Sequence, residues 1–219
     1  MSAAYVRKFP SVRDAAGGWY LNPLETKLPE ANIIPAERPD LPVLKEPCWF
    51  NAQHEVFFWN RFPADLRLYV ELGSFLGASA GYVLKTWPRA AVIAIDHFAG
   101  SAEHVSSPSI AAILPQLFEH FCVNLWDYKD RLFPLRMSTI EGLKLLAERQ
   151  IIPDVMYVDA AHDTESVLAD VVLAATLFPD TFIFGDDWGG WPTVRDGAIK
   201  AAVKLGREVA NNGHIWWLE

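Results

Sequence analysis

From about residue 66 onward, short apolar runs alternate with longer amphipathic stretches, and this alternation limits the folds open to the chain. Apolar runs of roughly four to eight residues between turn residues are typical of strands inside a parallel sheet. Such strands separated by helical stretches predict an α/β fold with a Rossmann-like, doubly wound sheet. We predict strands at 66–72, 91–95, 132–137, 155–158 and 181–185, and helices at 78–87, 110–126, 139–150, 164–178 and 194–205.

The end of the chain departs from the strand-helix alternation. Two short runs, 208–210 and 214–218, flank the segment Asn211-Asn212-Gly213. Asn and Gly tolerate positive φ, so this segment is typical of a tight hairpin turn. We therefore predict a mostly parallel sheet with an antiparallel C-terminal strand.

The N-terminal part is rich in proline. Proline has no backbone N–H and fixes φ, so long helices and central strands are not expected there. We predict an irregular arm or cap over residues 1–48 and a Rossmann-like domain over 49–219. The arm could wrap the core, cover a substrate cleft or exchange with a second subunit. Seven of the fifteen prolines lie in it: Pro10, Pro23, Pro29, Pro35, Pro39, Pro42 and Pro47.

Composition excludes several classes of protein. With 219 residues, 51% of them hydrophobic, the chain can bury a sizeable core. A net charge of −8 argues against a nucleic-acid partner. The sequence shows neither an apolar signal segment nor a run long enough to span a membrane, so we expect a soluble, cytoplasmic protein. Cys48 and Cys122 lack zinc-type spacing and are expected to be reduced thiols.

Three acids and a histidine follow two of the predicted strands. Asp159 comes directly after 155–158, with His162 three residues later, and Asp186 and Asp187 come after 181–185. Parallel sheets bind ligands at the carboxyl ends of their strands. If the two strands are neighbours, their ends lie about 4.8 Å apart, close enough for both to share one hard cation. Without a cation, the clustered acids would repel one another and at least one would stay protonated.

A glycine-containing segment follows the first predicted strand. Glycines between a strand and a helix let a ligand approach the backbone beside free N–H groups. Glu71, at the strand end before Gly73, would oppose a pyrophosphate but suits a positively charged ligand. Asp96 ends the second strand, where an acid can accept hydrogen bonds from both ribose hydroxyls. A nucleoside without phosphates fits this pair best.

These segments together resemble the class I S-adenosylmethionine-dependent methyltransferases. The similarity covers roughly residue 49 to the C-terminus, and it is closest to the metal-dependent branch that includes macrolide sugar O-methyltransferases and cephalosporin-hydroxylase-like proteins. The strand order of that family places strands one and four at the switch point and strand four beside strand five. The motifs that carry the resemblance are residues 71–77 (ELGSFLG), 95–97 (IDH), 159–162 (DAAH) and 185–188 (GDDW).

The resemblance implies a role for each matching position. It implies S-adenosylmethionine as cofactor, a Mg²⁺ ion and a small hydroxylated acceptor such as a sugar on a natural product. His97 lies beside the expected ribose position, and Asp159 would serve both cofactor and metal sites. The implied residues are Glu71, Gly73 and Ser74 for the methionine half, Asp96 for the ribose, Met137 and Ser138 for the adenine, Asp159, Asp186 and Asp187 for Mg²⁺, and His162 as general base.

Simpler interpretations stay open for several of these residues. Ser138 with Glu141 matches a helix capping box, and Asp163 or Thr164 could cap the next helix, which would leave His162 a solvated neighbour. His54 and the remaining histidines are expected at the surface or as satisfied core residues. Trp49, Trp188 and Trp191 are candidate walls of an acceptor pocket.

Competing functions also remain at this point. A metal-dependent hydrolase could use the same Asp and His set, and a non-catalytic cofactor-binding protein could act as a partner subunit. Members of the family are often oligomeric, so by analogy the arm is a candidate contact in a homo-oligomer.

Overall fold

The computed structural model describes Leu24 and residues 27–219, and this part of the chain forms one seven-stranded sheet covered on both faces. The strand order is β3-β2-β1-β4-β5-β7-β6. Neighbouring strands run parallel except where β7 pairs with β5 and β6. The strands are β1 (Leu68–Leu72), β2 (Ala91–Ile95), β3 (Leu132–Leu135), β4 (Val155–Val158), β5 (Phe182–Gly185), β6 (Val209–Asn211) and β7 (Trp216–Leu218).

This arrangement confirms the predicted fold class. β1 lies beside β4 and β4 beside β5, as the family resemblance implied, and the closing hairpin supplies the antiparallel strand. The α-helices in the described part are α1 (Ala52–Arg61), α2 (Ala78–Thr86), α3 (Ala102–Ser106), α4 (Pro108–Ala111), α5 (Leu117–Asn124), α6 (Thr139–Glu148), α7 (Thr164–Leu177) and α8 (Pro192–Leu205).

One predicted helix is wrong. The segment expected to be a single helix over 110–126 is divided into α4, a 3-10 turn at Leu114–Gln116 and α5. Pro115 cannot donate a backbone hydrogen bond and disfavours helical backbone in the residue before it, so the helix restarts only at Leu117. The preceding helix α3 was not predicted at all, and it carries a residue of the candidate site.

Helix α1 was also not predicted. It begins at a reciprocal cap, in which the Asn51 side chain accepts from the N–H of Gln53 at 2.9 Å and Nδ1 of His54 accepts from the N–H of Asn51 at 3.1 Å. Phe58 on its buried face lies edge-on to Tyr157 and Phe184, with ring centroids 5.7 and 5.3 Å apart. This packing fixes α1 against β4 and β5.

The alternation of side chains along β1 separates two cores. Val70 and Leu72 pack in an aliphatic core on one face, whereas Tyr69 packs in an aromatic core on the other. Side chains along a strand alternate, so Glu71 lies on the same face as Tyr69. Its carboxylate is thereby placed in the aromatic layer beneath α2.

The structure describes only part of the predicted arm. Residues 32–51 contain no helix or strand, while residues 1–23, 25 and 26 lie outside the described part of the chain. The division at residue 48 therefore stays a prediction.

Within residues 27–219 and at Leu24, no helix combines the length and apolar character needed to cross a lipid bilayer.

Candidate active site

The loop after β1 approaches the backbone that follows β4. Gly73 has φ +84°, and a Cβ added there would overlap the carbonyl oxygen of Asp159. Phe75 also lies in the left-handed region, at φ +47°, where a non-glycine residue is strained by roughly 1–2 kcal/mol. The loop thus takes a glycine-like conformation although Phe75 has a bulky side chain.

Asp96 at the end of β2 fixes this loop. Its Oδ2 accepts from the N–H groups of Ser74 and Phe75 at 2.9 and 3.0 Å, and its Oδ1 accepts from the N–H of Phe98 at 2.6 Å. A carboxylate has about four acceptor positions, so Asp96 still has capacity for ribose hydroxyls. The structure thus places Asp96 directly after β2, as the sequence predicted, and its role at the ribose stays a prediction.

Glu71 is buried with one oxygen unused. Its Oε2 accepts from Oγ of Ser79 at 2.6 Å and from the hydroxyl of Tyr69 at 3.3 Å, while Oε1 has no hydrogen-bond partner among the described residues. Burial raises the pKa of Glu71 to about 7, against the opposing effect of the hydrogen bond from Ser79. Oγ of the buried Ser74 is likewise unpartnered within the described part. These orphan atoms beside an open loop fit the ammonium group of a bound amino-acid moiety.

A cavity of about 630 Å³ extends from this loop along the ends of β2 and β3. The residues predicted for ribose and adenine line it: Asp96, His97, Met137 and Ser138. Ser138 also forms the capping box expected from its sequence position, with its N–H donating to Oε2 of Glu141 at 3.2 Å. Ser138 therefore both caps α6 and lines the cavity.

Asp159, His162 and Asp187 form a group that could hold a metal ion. One ligand atom from each lies within 4.8 Å of the others. Burial and the charges of Asp186 and Asp187 raise the pKa of Asp159 well above its usual value. The sequence prediction that one clustered acid holds a proton in the absence of a cation agrees with this direction.

Asp186 lies beside the group but its carboxylate is held elsewhere. Its Oδ2 lies 2.6 Å from Nε2 of His54 and accepts from the hydroxyl of Tyr157 at 3.2 Å. Oδ1 makes no hydrogen bond to any residue that the structure describes. The role of Asp186 as a metal ligand stays a prediction, and it would use this remaining oxygen.

His54 was not recognised from the sequence as part of the site. It was assigned to the surface or core histidines, and it is indeed buried, with 3% of its surface exposed. The available signal was its position three residues after Asn51, where it completes the helix cap. That cap turns the opposite ring nitrogen toward the end of β5.

His162 lies between two carboxylates. Its Nε2 is 2.9 Å from Oδ2 of Asp187 and its Nδ1 is 2.6 Å from Oε1 of Glu103, while its ring stacks on Trp191 with centroids 4.5 Å apart. Burial lowers the pKa of His162, but the hydrogen bond and charge of Asp187 and the charge of Glu103 outweigh it, so the pKa is raised. Sequence reasoning missed Glu103 because α3 was not predicted.

A second cavity, of about 280 Å³, adjoins the acids on the side of residues 47–50. Trp49 and Trp191 line it, together with Ser74, Asp186 and Asp187. Trp188, the third tryptophan predicted for an acceptor pocket, packs instead against the aliphatic core. The two cavities meet at Gly73, Asp159 and His162. Ligand groups held in the larger and in the smaller cavity would face each other at this junction.

Comparison with known proteins identifies the family. Residues 70–188 match the family described as a methyltransferase domain, and this segment is more than half of the chain. The chain therefore belongs to the methyltransferase-domain family, which confirms the resemblance to class I methyltransferases. No curated protein has a significantly similar sequence.

Two solved structures illustrate the likeness in fold. MycE methyltransferase of the mycinamycin biosynthetic pathway, in complex with Mg, SAH and mycinamycin VI, superposes with a TM-score of 0.52 at 14% identity, covering 80% of this chain and 50% of that chain. CalS11, a TDP-rhamnose 3'-O-methyltransferase of calicheamicin biosynthesis, gives a TM-score of 0.51 at 16% identity, covering 95% of this chain and 97% of that chain. This chain thus spans half the length of MycE. At these identities the likeness establishes the fold.

Proposed function

We propose that the protein is an S-adenosylmethionine- and Mg²⁺-dependent O-methyltransferase that acts on a hydroxyl group of a small molecule, such as a sugar or natural product. One observation carries the proposal: the carboxylate and imidazole group of Asp159, His162 and Asp187 lies where the two cavities meet, directly beside the loop at Gly73. MycE, which shares the fold, was solved with Mg and SAH together.

The cofactor would be held by the residues around the first loop. The orphan oxygen of Glu71 and the hydroxyl of Ser74 fit the methionine end, and Asp96 fits the ribose. Met137 and Ser138 line the cavity where the adenine would lie. Gly73 is required because any side chain there would collide with the backbone of Asp159.

The cation would be held by Asp159 and Asp187, with Asp186 able to add its free oxygen. Carboxylate oxygens are the ligands that Mg²⁺ prefers. When bound, S-adenosylmethionine supplies an electrophilic methyl group and a divalent cation lowers the pKa of an acceptor hydroxyl.

His162 would accept the proton of the acceptor hydroxyl. Both of its ring nitrogens face carboxylates in this structure, so one nitrogen must be released before it can take that proton. A cation bound by Asp187 would compete with Nε2 of His162 for the carboxylate that now faces it. We therefore assign Nε2 as the nitrogen that faces the acceptor, while Glu103 holds Nδ1.

Binding of S-adenosylhomocysteine, measured calorimetrically, tests the cofactor assignment. We expect micromolar affinity in the wild type and a loss in Asp96→Ala. Unchanged affinity in Asp96→Ala would remove the ribose assignment, and no binding by the wild type would favour a metal-dependent hydrolase.

Transfer of labelled methyl groups to hydroxylated acceptors tests the chemistry. His162→Ala should keep cofactor and metal affinity but lose turnover, and turnover should stop when EDTA removes the cation. His214→Ala, at an exposed histidine, is the matched control. Equal turnover in His162→Ala and the wild type would show that the base is another group.

We also propose a cytoplasmic protein with no nucleic-acid or membrane partner, supported by its net charge of −8. We further propose that the protein forms a homo-oligomer in which the arm makes the contact. Light scattering of the full chain and of a form lacking residues 1–48 tests this.

A further inference from the structure

We propose that the acceptor is an electrically neutral ring compound with a free hydroxyl, and that acceptors activated by a diphosphate are rejected. This inference rests on the proposed methyl transfer and specifies its substrate class. Two observations support it. One is the charge around the two cavities, and the other is an exposed aromatic surface beside the candidate metal group.

Acidic side chains dominate the two cavities. Among the residues that the structure describes, no lysine or arginine lines either cavity. A bound diphosphate is normally held by such side chains, by a set of backbone N–H groups or by a divalent cation, and the cation proposed here would already serve the acceptor hydroxyl. Here the N–H groups of Ser74 and Phe75 are already occupied by Asp96. Seven carboxylates line the cavities: Asp96, Glu103, Asp159, Asp163, Asp170, Asp186 and Asp187.

Bound cofactor and cation would not reverse this charge. A divalent cation and one sulfonium would offset roughly three of the seven carboxylates. A diphosphate close to the remaining acids would experience like-charge repulsion in a partly desolvated site. A neutral acceptor avoids that cost.

An aromatic shelf formed by Trp49, Phe75 and His104 borders the smaller cavity. Phe75 and His104 stack with centroids 4.7 Å apart, and Trp49 lies 5.3 Å from Phe75 and 5.6 Å from His104. Although Trp49 lines the cavity, 55% of its surface is exposed. An exposed indole at the edge of a concave site fits the C–H face of a sugar ring or a flat aglycone.

Acids in the same cavity supply hydrogen-bond acceptors. Asp159, Asp186 and Asp187 line it together with the aromatic shelf. Carboxylate oxygens accept hydrogen bonds from hydroxyl groups. Since the hydroxyl of Ser74 is assigned to the cofactor, the cavity offers the acceptor a stacking surface and acids, which together favour a neutral polyhydroxylated ring.

Two probes that share one sugar separate neutral from diphosphate-activated acceptors. The full chain, loaded with S-adenosylhomocysteine and Mg²⁺, is titrated with 4-nitrophenyl α-L-rhamnoside and with thymidine diphosphate rhamnose, and quenching of tryptophan fluorescence and calorimetry report binding. We expect the neutral glycoside to bind at least about tenfold more tightly, corresponding to about 1.4 kcal/mol.

Two single variants test the shelf. Trp49→Ala should weaken the affinity for the glycoside by about fivefold or more and leave the affinity for S-adenosylhomocysteine unchanged. Trp59→Ala is the matched control, because Trp59 is 66% exposed and lies on α1 outside both cavity linings. Equal losses in the two variants would remove the shelf from the acceptor site.

The remaining outcomes separate this inference from the proposed function. Thymidine diphosphate rhamnose binding as tightly as the glycoside, with an affinity that falls as salt is added, would overturn the inference. Binding of neither probe would overturn it too. Failure of the wild type to bind S-adenosylhomocysteine would instead remove the proposed methyl transfer itself.

Discussion

Nε2 of His54 lies 2.6 Å from Oδ2 of Asp186, although the two residues are 132 positions apart in the chain. The N–H of Asn51 donates to Nδ1 of His54, so the ring proton must lie on Nε2 and is donated to Asp186. The helix cap therefore determines the tautomer. His54 therefore holds Oδ2 of Asp186 and leaves Oδ1 of that carboxylate free.

Loss of the His54 donor should weaken cation binding. Partners that orient metal ligands typically contribute about 10- to 100-fold in affinity, so we expect His54→Phe to weaken Mn²⁺ binding by that order in a paramagnetic resonance titration. His54→Gln, which can keep a donor near the Nε2 position, should lose less. Affinity for S-adenosylhomocysteine should stay the same in both.

Asn51→Ala serves as the control for this measurement. It removes the side-chain cap but keeps His54 and its Nε2 donor, and we expect a cost of about 1 kcal/mol in stability with little change in cation affinity. Cation affinity that tracks stability across all three variants would mean that His54 acts only through folding.

The buried carboxyl of Glu71 should make stability depend on pH. Its folded pKa of about 7 lies above the usual 4.5, so between these values the unfolded chain loses a proton that the folded chain keeps. The contribution of Glu71 to stability then falls as pH rises through this window, by about 3 kcal/mol in total. Glu71→Gln should remove this part of the fall, while other acids with a raised pKa, such as Asp159, keep theirs, and the variant should be more stable than the wild type near pH 8.

Urea unfolding without cofactor at about pH 5 and about pH 8 measures this difference. Glu55→Gln, at an exposed glutamate on α1, should behave like the wild type. The same Glu71→Gln variant should bind S-adenosylhomocysteine more weakly, because the orphan oxygen can no longer carry negative charge. A parallel fall in stability with pH for Glu71→Gln and the wild type would place the titrating group elsewhere.

Cation binding should release protons. Burial and the neighbouring acids raise the pKa of Asp159, and a carboxyl must be deprotonated to bind a hard cation. Affinity for Mg²⁺ should therefore increase as the pH rises through the pKa of Asp159. The number of protons released on binding should be largest at a pH below that pKa. Calorimetry in two buffers of different ionisation heat counts the protons. Identical heats in both buffers would show that Asp159 is already ionised.

Much of the fold follows from local sequence, whereas the site depends on contacts that sequence spacing cannot show. The runs ending at Ile95 and Val158 were predicted at their observed ends because buried parallel strands are continuous apolar segments. Their order in the sheet came from the family resemblance. Asp159, His162 and Asp187 could be grouped because acids after neighbouring strands meet at one sheet edge.

The missed residues lie on unpredicted helices. α1 carries His54 and α3 carries Glu103, and neither helix has a long apolar period. Each begins with a polar residue followed three positions later by a histidine, namely Asn51 with His54 and Ser101 with His104. A capping histidine is an uncommon pattern, since Glu and Gln are the usual residues at this position. Tertiary packing, not local propensity, decides which face these helices turn to the site.

Glu103 should set the pH at which His162 works as a base. The carboxylate of Glu103, 2.6 Å from Nδ1, is one of the groups that raise the pKa of His162. In Glu103→Gln that stabilisation of the protonated ring is lost, so the pKa of His162 falls. A base must be deprotonated, and the acidic limb of the kcat/KM profile should therefore move to lower pH. Asp163→Asn, which alters a helix cap near the site but not this contact, should leave the limb in place. An acidic limb that moves equally in both variants would reflect a general change in local charge. A limb that moves in neither variant would show that Glu103 does not set the pH at which the base works.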